Sequence, residues 1–251
     1  MGPELLLVHT MGRVASTAVQ RALQEHLERD VFHVHHVNPV VLARQVARAG
    51  SMDKAARSVL DGLDAACALI RHSGHVKIVS LVRDPIARNI SALFADVRRG
   101  IGPEQLDEIL ADTQKISERW ARFYDNVPNE WFDIEMLDTF GIDVYSRPFP
   151  PQGVGHYSNG RAELLVLRCE LDDEAKAAAI AQFVGAEGLR LGRENDGSRR
   201  GEFDSRYRRF CAAIDLDADY VAGVASSRYM RHFYAGTTAR EYVQQWTGTR
   251  G

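Results

Sequence analysis

The sequence has few cysteines and no long apolar run. Its three cysteines, Cys67, Cys169 and Cys211, are widely spaced and include no Cys-x-x-Cys pair, which argues against a disulfide framework or a zinc site. No apolar stretch approaches the length needed to cross a membrane. The formal net charge of −3 is unlike that of a general nucleic-acid binder, which is normally basic. We therefore expect no membrane span and no nucleic-acid partner.

The chain also lacks a basic leader, because its first four residues run straight into an apolar segment. We therefore expect a cytoplasmic protein. With 251 residues, of which 45% are hydrophobic and 26% charged, the composition is ordinary for a globular protein. No repeat, low-complexity tract or linker divides the sequence, so we expect residues 1–251 to form a single domain. The sequence does not indicate an oligomeric state.

Short apolar runs alternate with amphipathic segments, which predicts an α/β fold with a central parallel sheet flanked by helices. The predicted strands cover residues 5–9, 31–35, 76–82 and 163–168, with a short edge element near 189–193. The predicted helices cover residues 16–29, 40–49, 53–72, 85–98, 103–124, 172–184, 205–213, 218–231 and 238–246. Residues 126–158 are rich in proline and glycine. They predict a short helix, a hairpin-like excursion and a loop over the active site.

The first predicted strand is followed by a small-residue turn, Gly12-Arg13-Val14-Ala15, and then by Ser16-Thr17-Ala18, which begins a helix. A helix N-terminus carries unpaired N–H groups at the positive end of the helix dipole, so an anion can bind there. Ser16 and Thr17 add hydroxyl donors, and Arg13 adds a fixed positive charge. The spacing differs from that of a Walker A loop. The alternative is that the Ser-Thr pair only caps the helix.

A second segment repeats this plan after the strand over residues 76–82. Asp84 is a candidate N-cap, and Pro85 suits the first helical position because its missing N–H costs nothing there. Arg83 therefore lies at the carboxyl end of a strand, where open α/β sheets bind ligands. Ser91 follows two helical turns later. Guanidinium and hydroxyl donors in this arrangement predict a second phosphate site; the alternative is that Arg83 only pairs with a neighbouring acid.

These two segments resemble the two signatures of sulfotransferases that use 3′-phosphoadenylyl sulfate (PAPS). The resemblance implies a P-loop-like three-layer fold in which residues 12–18 hold the 5′-phosphosulfate, while Arg83 and Ser91 hold the 3′-phosphate. Adenosine 3′,5′-bisphosphate (PAP) would be the product, and no metal is required. The loop is similar to the Lys-Thr-Ala-Ser-Thr-Ser form of uronyl 2-O-sulfotransferases, with Arg13 in place of the usual lysine. Because arginine cannot donate a proton, Arg13 would act through its charge.

Later segments resemble a bacterial group of sulfotransferase-like and capsular polysaccharide synthesis proteins. The similar segments are residues 131–135 (Trp-Phe-Asp-Ile-Glu), 141–145, 161–170 and 229–234. In addition, Arg199-Arg200-Gly201 resembles the late Arg-Lys-Gly segment that closes over the 3′-phosphate in cytosolic sulfotransferases. The alternative for this basic pair is a solvated surface loop.

Three histidines in four positions, His33, His35 and His36, end the second predicted strand. Sulfuryl transfer to an alcohol benefits from a base that takes the hydroxyl proton, and histidine suits this role near neutral pH. Strand alternation places His33 and His35 on one face and His36 on the other. The resemblance to a His-Gly-His run in uronyl 2-O-sulfotransferases assigns the base to His35, with His36 as the second candidate. A structural role and a metal site are the alternatives.

The resemblance therefore implies a sulfotransferase that moves the sulfuryl group of PAPS to a hydroxyl-bearing acceptor, either a carbohydrate or a small metabolite. One alternative is a P-loop nucleotide kinase, although the sequence lacks the Lys-Ser/Thr of a Walker A loop. The other is a catalytically inactive relative that binds the nucleotide without turning it over.

Overall fold

The computed structural model describes residues 4–48, 53–72, 74–100, 127–192 and 214–247, together with residues 205, 207, 208, 210 and 211. The predicted helix over 103–124 lies outside these residues. The chain divides into two compact units, one of residues 1–83 and 130–192 and the other of residues 84–129 and 193–251. Each unit is described by itself, and the single domain stays a prediction.

The first unit contains a five-stranded sheet with the strand order β2-β1-β3-β5-β4. The strands are β1 (Leu5–His9), β2 (Val31–Val34), β3 (Val76–Val82), β4 (Val154–Ser158) and β5 (Ala162–Arg168). All neighbouring strands are parallel except β4, which pairs antiparallel with β5 at one edge. The predicted α/β class is thus confirmed, with a central sheet that is parallel except for β4.

The helices, in chain order, flank or follow these strands. They are α1 (Ser16–His26), α2 (Pro39–Arg48), α3 (Asp53–Arg71), α4 (Pro85–Gly100), α5 (Val127–Phe132), a π-helix (Asp133–Leu137), α6 (Asp138–Phe140), a 3₁₀ turn (Val144–Ser146), α7 (Asp173–Val184), α8 (Ala218–Ala225), α9 (Arg228–Phe233) and α10 (Ala239–Trp246).

In β1, β3 and β5, successive side chains on both faces of the sheet are buried, instead of buried and exposed side chains alternating. Leu6, Leu7 and Val8 of β1 are fully buried, and so are Leu164 and Leu165 of β5. Continuous apolar runs of this kind are typical of parallel strands covered on both faces. Because β1, β2 and β3 are parallel, their carboxyl ends lie at one rim of the sheet, and the loop over 12–18, His35 and Arg83 follow them in sequence.

Two local predictions differ from the structure. The antiparallel strand β4 forms within the proline-rich region, where Asn159 at its turn accepts hydrogen bonds from the amides of Arg161 and Ala162 and so closes a hairpin onto β5. The predicted edge element near 189–193 is wrong for residues 189–192, which form no strand. The edge strand next to β5 is β4.

Where the structure describes it, the second unit contains helices and no strand. Its α4 begins at Pro85 as predicted, and the Asp84 carboxylate accepts a hydrogen bond from the amide of Ala87 at 2.7 Å, which confirms the predicted cap. The predicted continuous helix over 218–231 is wrong, because Ser227 caps a new helix by accepting from the amide of Met230. The core of this unit consists of Ile86, Ile90, Leu93, Phe94, Phe210, Ile214, Leu216, Val221, Met230, Tyr242 and Trp246. Among the described residues, no helix combines the length and apolarity that a membrane span requires.

Candidate functional site

The loop between β1 and α1 has an unusual backbone. Gly12, Arg13 and Ala15 have φ angles of +79°, +64° and +59°. Arg13 and Ala15 are the only non-glycine residues with positive φ in the described part of the chain. This left-handed region is unfavourable for residues with a side chain, and such strain is concentrated at ligand sites. Loops of this kind also turn successive backbone N–H groups toward one side, as anion-binding nests do.

The helix that follows has no side-chain cap. Ala15 is the N-cap residue, and the helix has no side-chain cap hydrogen bond at this end. The interpretation of Ser16-Thr17 as a simple cap is therefore not supported. The amides of Ser16, Thr17 and Ala18 begin the helix without an intrahelical partner, which is the arrangement that binds anions.

The side chains of the loop differ in exposure. Arg13 and Thr17 are exposed, whereas Val14 is fully buried and anchors the loop. Ser16 is 4% exposed. Its hydroxyl accepts from the Thr10 hydroxyl at 3.2 Å and makes a hydrogen bond of 2.8 Å with Nε2 of His33. The Ser16 hydroxyl is thus directed inward, so of the two hydroxyls only that of Thr17 lies on the surface of the loop.

Arg83, the one residue of the second phosphate segment that belongs to the first unit, contacts the loop of the first segment. Arg83, directly after β3, donates from its guanidinium to the carbonyl oxygen of Arg13 at 3.0 Å. This contact brings a second guanidinium to the strained loop. Ser91 lies on α4 of the second unit and is partly buried. The segment Arg199-Arg200-Gly201 lies outside the described residues.

His35 lies against the loop over residues 12–18, the proposed anion-binding loop. Its Nδ1 is 2.9 Å from the carbonyl oxygen of Thr10, which can only accept, so Nδ1 carries the proton and Nε2 carries the lone pair. A Cβ atom built on Gly12 would lie 3.6 Å from Nε2 of His35, so the imidazole packs directly on this glycine. The rings of His33 and His35 are 5.3 Å apart, on one face of the strand end, as alternation predicts.

Burial determines the ionisation of these histidines. Burial and, to a smaller extent, the neighbouring His33 together lower the pKa of His35 to about 4. Burial also lowers the pKa of His33, against a smaller opposing effect of Asp61. At neutral pH His35 is therefore uncharged, with a free lone pair on Nε2.

His36 points away from this pair and contacts an acid that the sequence did not identify. Its Nδ1 donates to Oε1 of Glu135 at 2.8 Å, and its side chain is 24% exposed. Oε2 of Glu135 accepts from Nε2 of His9 at 3.2 Å and from the amides of Val37 and Asn38 at 2.9 and 3.1 Å. Burial alone would raise the pKa of Glu135, but the bonds from His36 and His9 lower it to about 2.

Sequence reasoning missed the roles of His9, Trp131 and Glu135. Trp131 donates from its indole N–H to the carbonyl oxygen of His35 at 3.0 Å, and its ring lies 4.8 Å from that of His9. One signal was available: Glu135 is an acid between buried residues such as Phe132 and Met136. Such an acid needs buried partners, and histidines are the natural candidates.

The histidine cluster is not arranged as a metal centre. The Glu135 carboxylate lies between His9 and His36 and bonds to both of them directly. Among the described residues, no three histidine, cysteine or acidic side chains are placed to hold a metal ion.

Comparison with known proteins gave one match. The family model described as NKWYS, "Putative capsular polysaccharide synthesis protein", matches residues 105–235, just over half of the 251 residues. Trp131 and Glu135 lie within the matched residues, whereas the loop over 12–18, His35 and Arg83 lie outside them. No curated protein and no solved structure matches the chain.

Proposed function

We propose that this chain, which belongs to the NKWYS family of capsular polysaccharide synthesis proteins, is a sulfotransferase that moves the sulfuryl group of PAPS to a hydroxyl of a glycan. A small hydroxyl metabolite is the second acceptor class. One observation carries the proposal: a strained, uncapped anion loop at Gly12–Ala15, a guanidinium from Arg83 on that loop, and a neutral histidine, His35, against Gly12.

The residues present fit an anionic donor. The amides of residues 15–18 and the Thr17 hydroxyl would hold the 5′-phosphosulfate oxygens, because they lie at a helix N-terminus without a side-chain cap. Arg83 would bind the 3′-phosphate. The resemblance adds Ser91 and Arg199-Arg200-Gly201 to this set. Adenosine 3′,5′-bisphosphate would be released as the product.

When bound, PAPS supplies a sulfuryl group whose sulfur–oxygen bond to the 5′-phosphate breaks as a bond to the acceptor oxygen forms. The guanidinium of Arg13 would stabilise the negative charge left on the phosphate, a preorganised electrostatic effect. Nε2 of His35 would take the acceptor's hydroxyl proton, because its lone pair is kept free by the Nδ1–H bond to Thr10. The proposal needs no metal ion, since the two arginines and the helix N-terminus supply positive charge.

The low basicity of His35 is compatible with this role. A neutral imidazole with a pKa of about 4 holds its lone pair available throughout the neutral range. The hydroxyl proton moves to it as the hydroxyl becomes acidic in the transition state. His36 is the second candidate for the base, because the Glu135 carboxylate would stabilise its charged form.

The experiment is transfer of label from ³⁵S-PAPS to a panel of bacterial capsular glycans and small alcohols, with Arg13→Ala as the inactive control. The proposal expects a labelled sulfate ester and equimolar adenosine 3′,5′-bisphosphate, both in the presence of a metal chelator. Nucleotide binding without a labelled product from any acceptor would favour an inactive relative. Transfer of phosphate from Mg-ATP instead would favour the kinase alternative.

A further inference from the structure

The turn after β2 is held from two sides by one helical segment. Trp131 donates to the carbonyl oxygen of His35 at 3.0 Å. Four residues later, Glu135 accepts from the amides of Val37 and Asn38. The backbone that carries His35 is therefore attached at three points to residues 131–135.

The carboxylate of Glu135 is buried and accepts four hydrogen bonds. The residue is 0% exposed; Oε2 accepts from His9 and from the two amides, and Oε1 accepts from His36. Four donors on one carboxylate allow the group to stay ionised in the interior.

His9 is a second histidine on this carboxylate. Its Nδ1 lies 3.3 Å from the carbonyl oxygen of Val34, and its Nε2 lies 3.2 Å from the Glu135 carboxylate. The ring therefore links the end of β2 to Glu135. His9 is 0% exposed, so both of these polar contacts are made in the interior, where a polar group needs a hydrogen-bond partner.

The geometry of the helix supports a specific role for these residues. Trp131 and Glu135 are four apart, the spacing that places two side chains on one helical face. Glu135 lies in the π-helix Asp133–Leu137. π-helical turns are rare and often occur at functional sites. The side-chain amide of Asn38 adds further contacts, because its NH₂ group donates to the carbonyl oxygen of Ile134 and to the hydroxyl of Thr139.

We propose that Glu135 and Trp131 are positioning residues that fix the 35–38 turn and thereby hold the imidazole of His35 against the loop at Gly12. We call this arrangement the clamp. In it, Glu135, which is bonded to His9, holds the amides of Val37 and Asn38, and Trp131 holds the carbonyl group of His35. The catalytic part of the inference rests on the proposed sulfotransferase function. The clamp itself is measurable without turnover.

Three variants of the full-length chain test the clamp. Trp131→Phe keeps an aromatic ring beside His9 but removes the N–H that bonds to His35. Glu135→Gln removes the charge and places an amide donor among four donors. Glu163→Gln is the matched control, since Glu163 is well exposed and pairs with His75 near the amino end of β5, away from the 35–38 turn.

The first readout is ¹⁵N NMR of the histidine side chains, assigned with His9→Asn and His35→Asn. The clamp predicts a neutral Nδ1–H tautomer for His35 at neutral pH and a hydrogen bond from His9 to the Glu135 carboxylate. Glu135→Gln should shift the His9 resonances, Trp131→Phe should shift the His35 resonances, and Glu163→Gln should change neither. Unmoved His9 resonances in Glu135→Gln, or unmoved His35 resonances in Trp131→Phe, would overturn the inference.

The second readout is turnover per folded molecule. Both clamp variants should lower kcat by about 10- to 100-fold while the Kd for adenosine 3′,5′-bisphosphate stays within about twofold. An unchanged kcat in folded Trp131→Phe would reduce the segment to a structural role and overturn the positioning role. If the parent protein neither binds the bisphosphate nor turns over, the sulfotransferase proposal fails, and the NMR result decides the clamp alone.

Discussion

Nδ1 of His35 lies 2.9 Å from the carbonyl oxygen of Thr10, which ties the end of β2 to the end of β1 and fixes the imidazole tautomer. Because a carbonyl only accepts, the proton lies on Nδ1 and the lone pair on Nε2. Both ring nitrogens and the carbon between them lie 3.6–3.7 Å from a Cβ atom built on Gly12, so the ring packs against the start of the strained loop. The protonation of His35 thus follows from the pairing of two neighbouring strands.

The free energy of unfolding should fall as the pH is lowered from 7 to 3. The pKa of His35 is depressed from 6.5 to about 4, so the unfolded chain binds its proton first and stability declines between these values. The pKa of Glu135 is depressed from 4.5 to about 2, so its contribution is lost below pH 4.5. Each depressed pKa corresponds to about 3 kcal/mol of stability that is lost in full only below both the unfolded and the folded pKa. Urea unfolding at several pH values measures the slope.

The variant His35→Asn should flatten this slope between pH 6.5 and 4 and leave the lower part unchanged. The exposed His26 on α1 provides the control, because His26→Asn should leave the whole curve in place. A slope that persists unchanged in His35→Asn would show that other groups cause the acid sensitivity.

Gly62→Ala should destabilise the protein by about 1–3 kcal/mol. A Cβ atom on Gly62 of α3 would lie 2.5 Å from the carbonyl oxygen of His36 and 2.7 Å from Leu42. The turn that carries the histidines would have to move. Gly223→Ala on α8 is the control, because its Cβ meets nothing within 4 Å. It should stabilise by up to about 1 kcal/mol through helix propensity. Equal thermal shifts in the two variants would contradict the close approach of α3 to His36.

Arg83→Ala should weaken binding of adenosine 3′,5′-bisphosphate by about 2–3 kcal/mol and barely affect AMP, because a charge-assisted contact to the 3′-phosphate is lost. Isothermal titration calorimetry measures both ligands. Arg161→Ala, in the exposed turn between β4 and β5, is the matched control. Equal losses of affinity for the bisphosphate and AMP would show that Arg83 binds the 5′-phosphate that both ligands carry, or that it only stabilises the loop.

Arg13→Ala should lower kcat by about 10²–10³-fold and change the Kd for adenosine 3′,5′-bisphosphate far less, since the proposed charge acts on the leaving phosphate. Arg13→Lys keeps the charge and should stay within about tenfold of the parent rate. A loss confined to binding in Arg13→Ala would make Arg13 a residue that only holds the donor.

Much of the first unit could be predicted from the sequence. The strands over residues 5–9 and 76–82 agree residue for residue with β1 and β3, because each is a buried apolar run that ends at a turn. In the second unit the helix start at Pro85 agrees as well, since Asp84 and Pro85 form a local signal. The loop over 12–18 was located by its small residues, although its positive φ angles at Arg13 and Ala15 have no local signature.

The remainder depends on contacts between distant residues. Glu135 and His36 are 99 positions apart, and no periodicity predicts their pairing. The π-helix that carries Glu135 follows an ordinary helical pattern in sequence. The inward direction of the Ser16 hydroxyl depends on His33 and Thr10 together. The antiparallel β4 forms in a proline-rich stretch because β5 offers a free edge.

The most direct measurement of the sulfotransferase proposal is calorimetric titration of the full-length chain with adenosine 3′,5′-bisphosphate, ATP and AMP, each with and without Mg²⁺. The proposed site predicts tight binding of the bisphosphate that is independent of Mg²⁺ and stronger than that of ATP or AMP. Preference for Mg-ATP, or no binding of the bisphosphate, would contradict it.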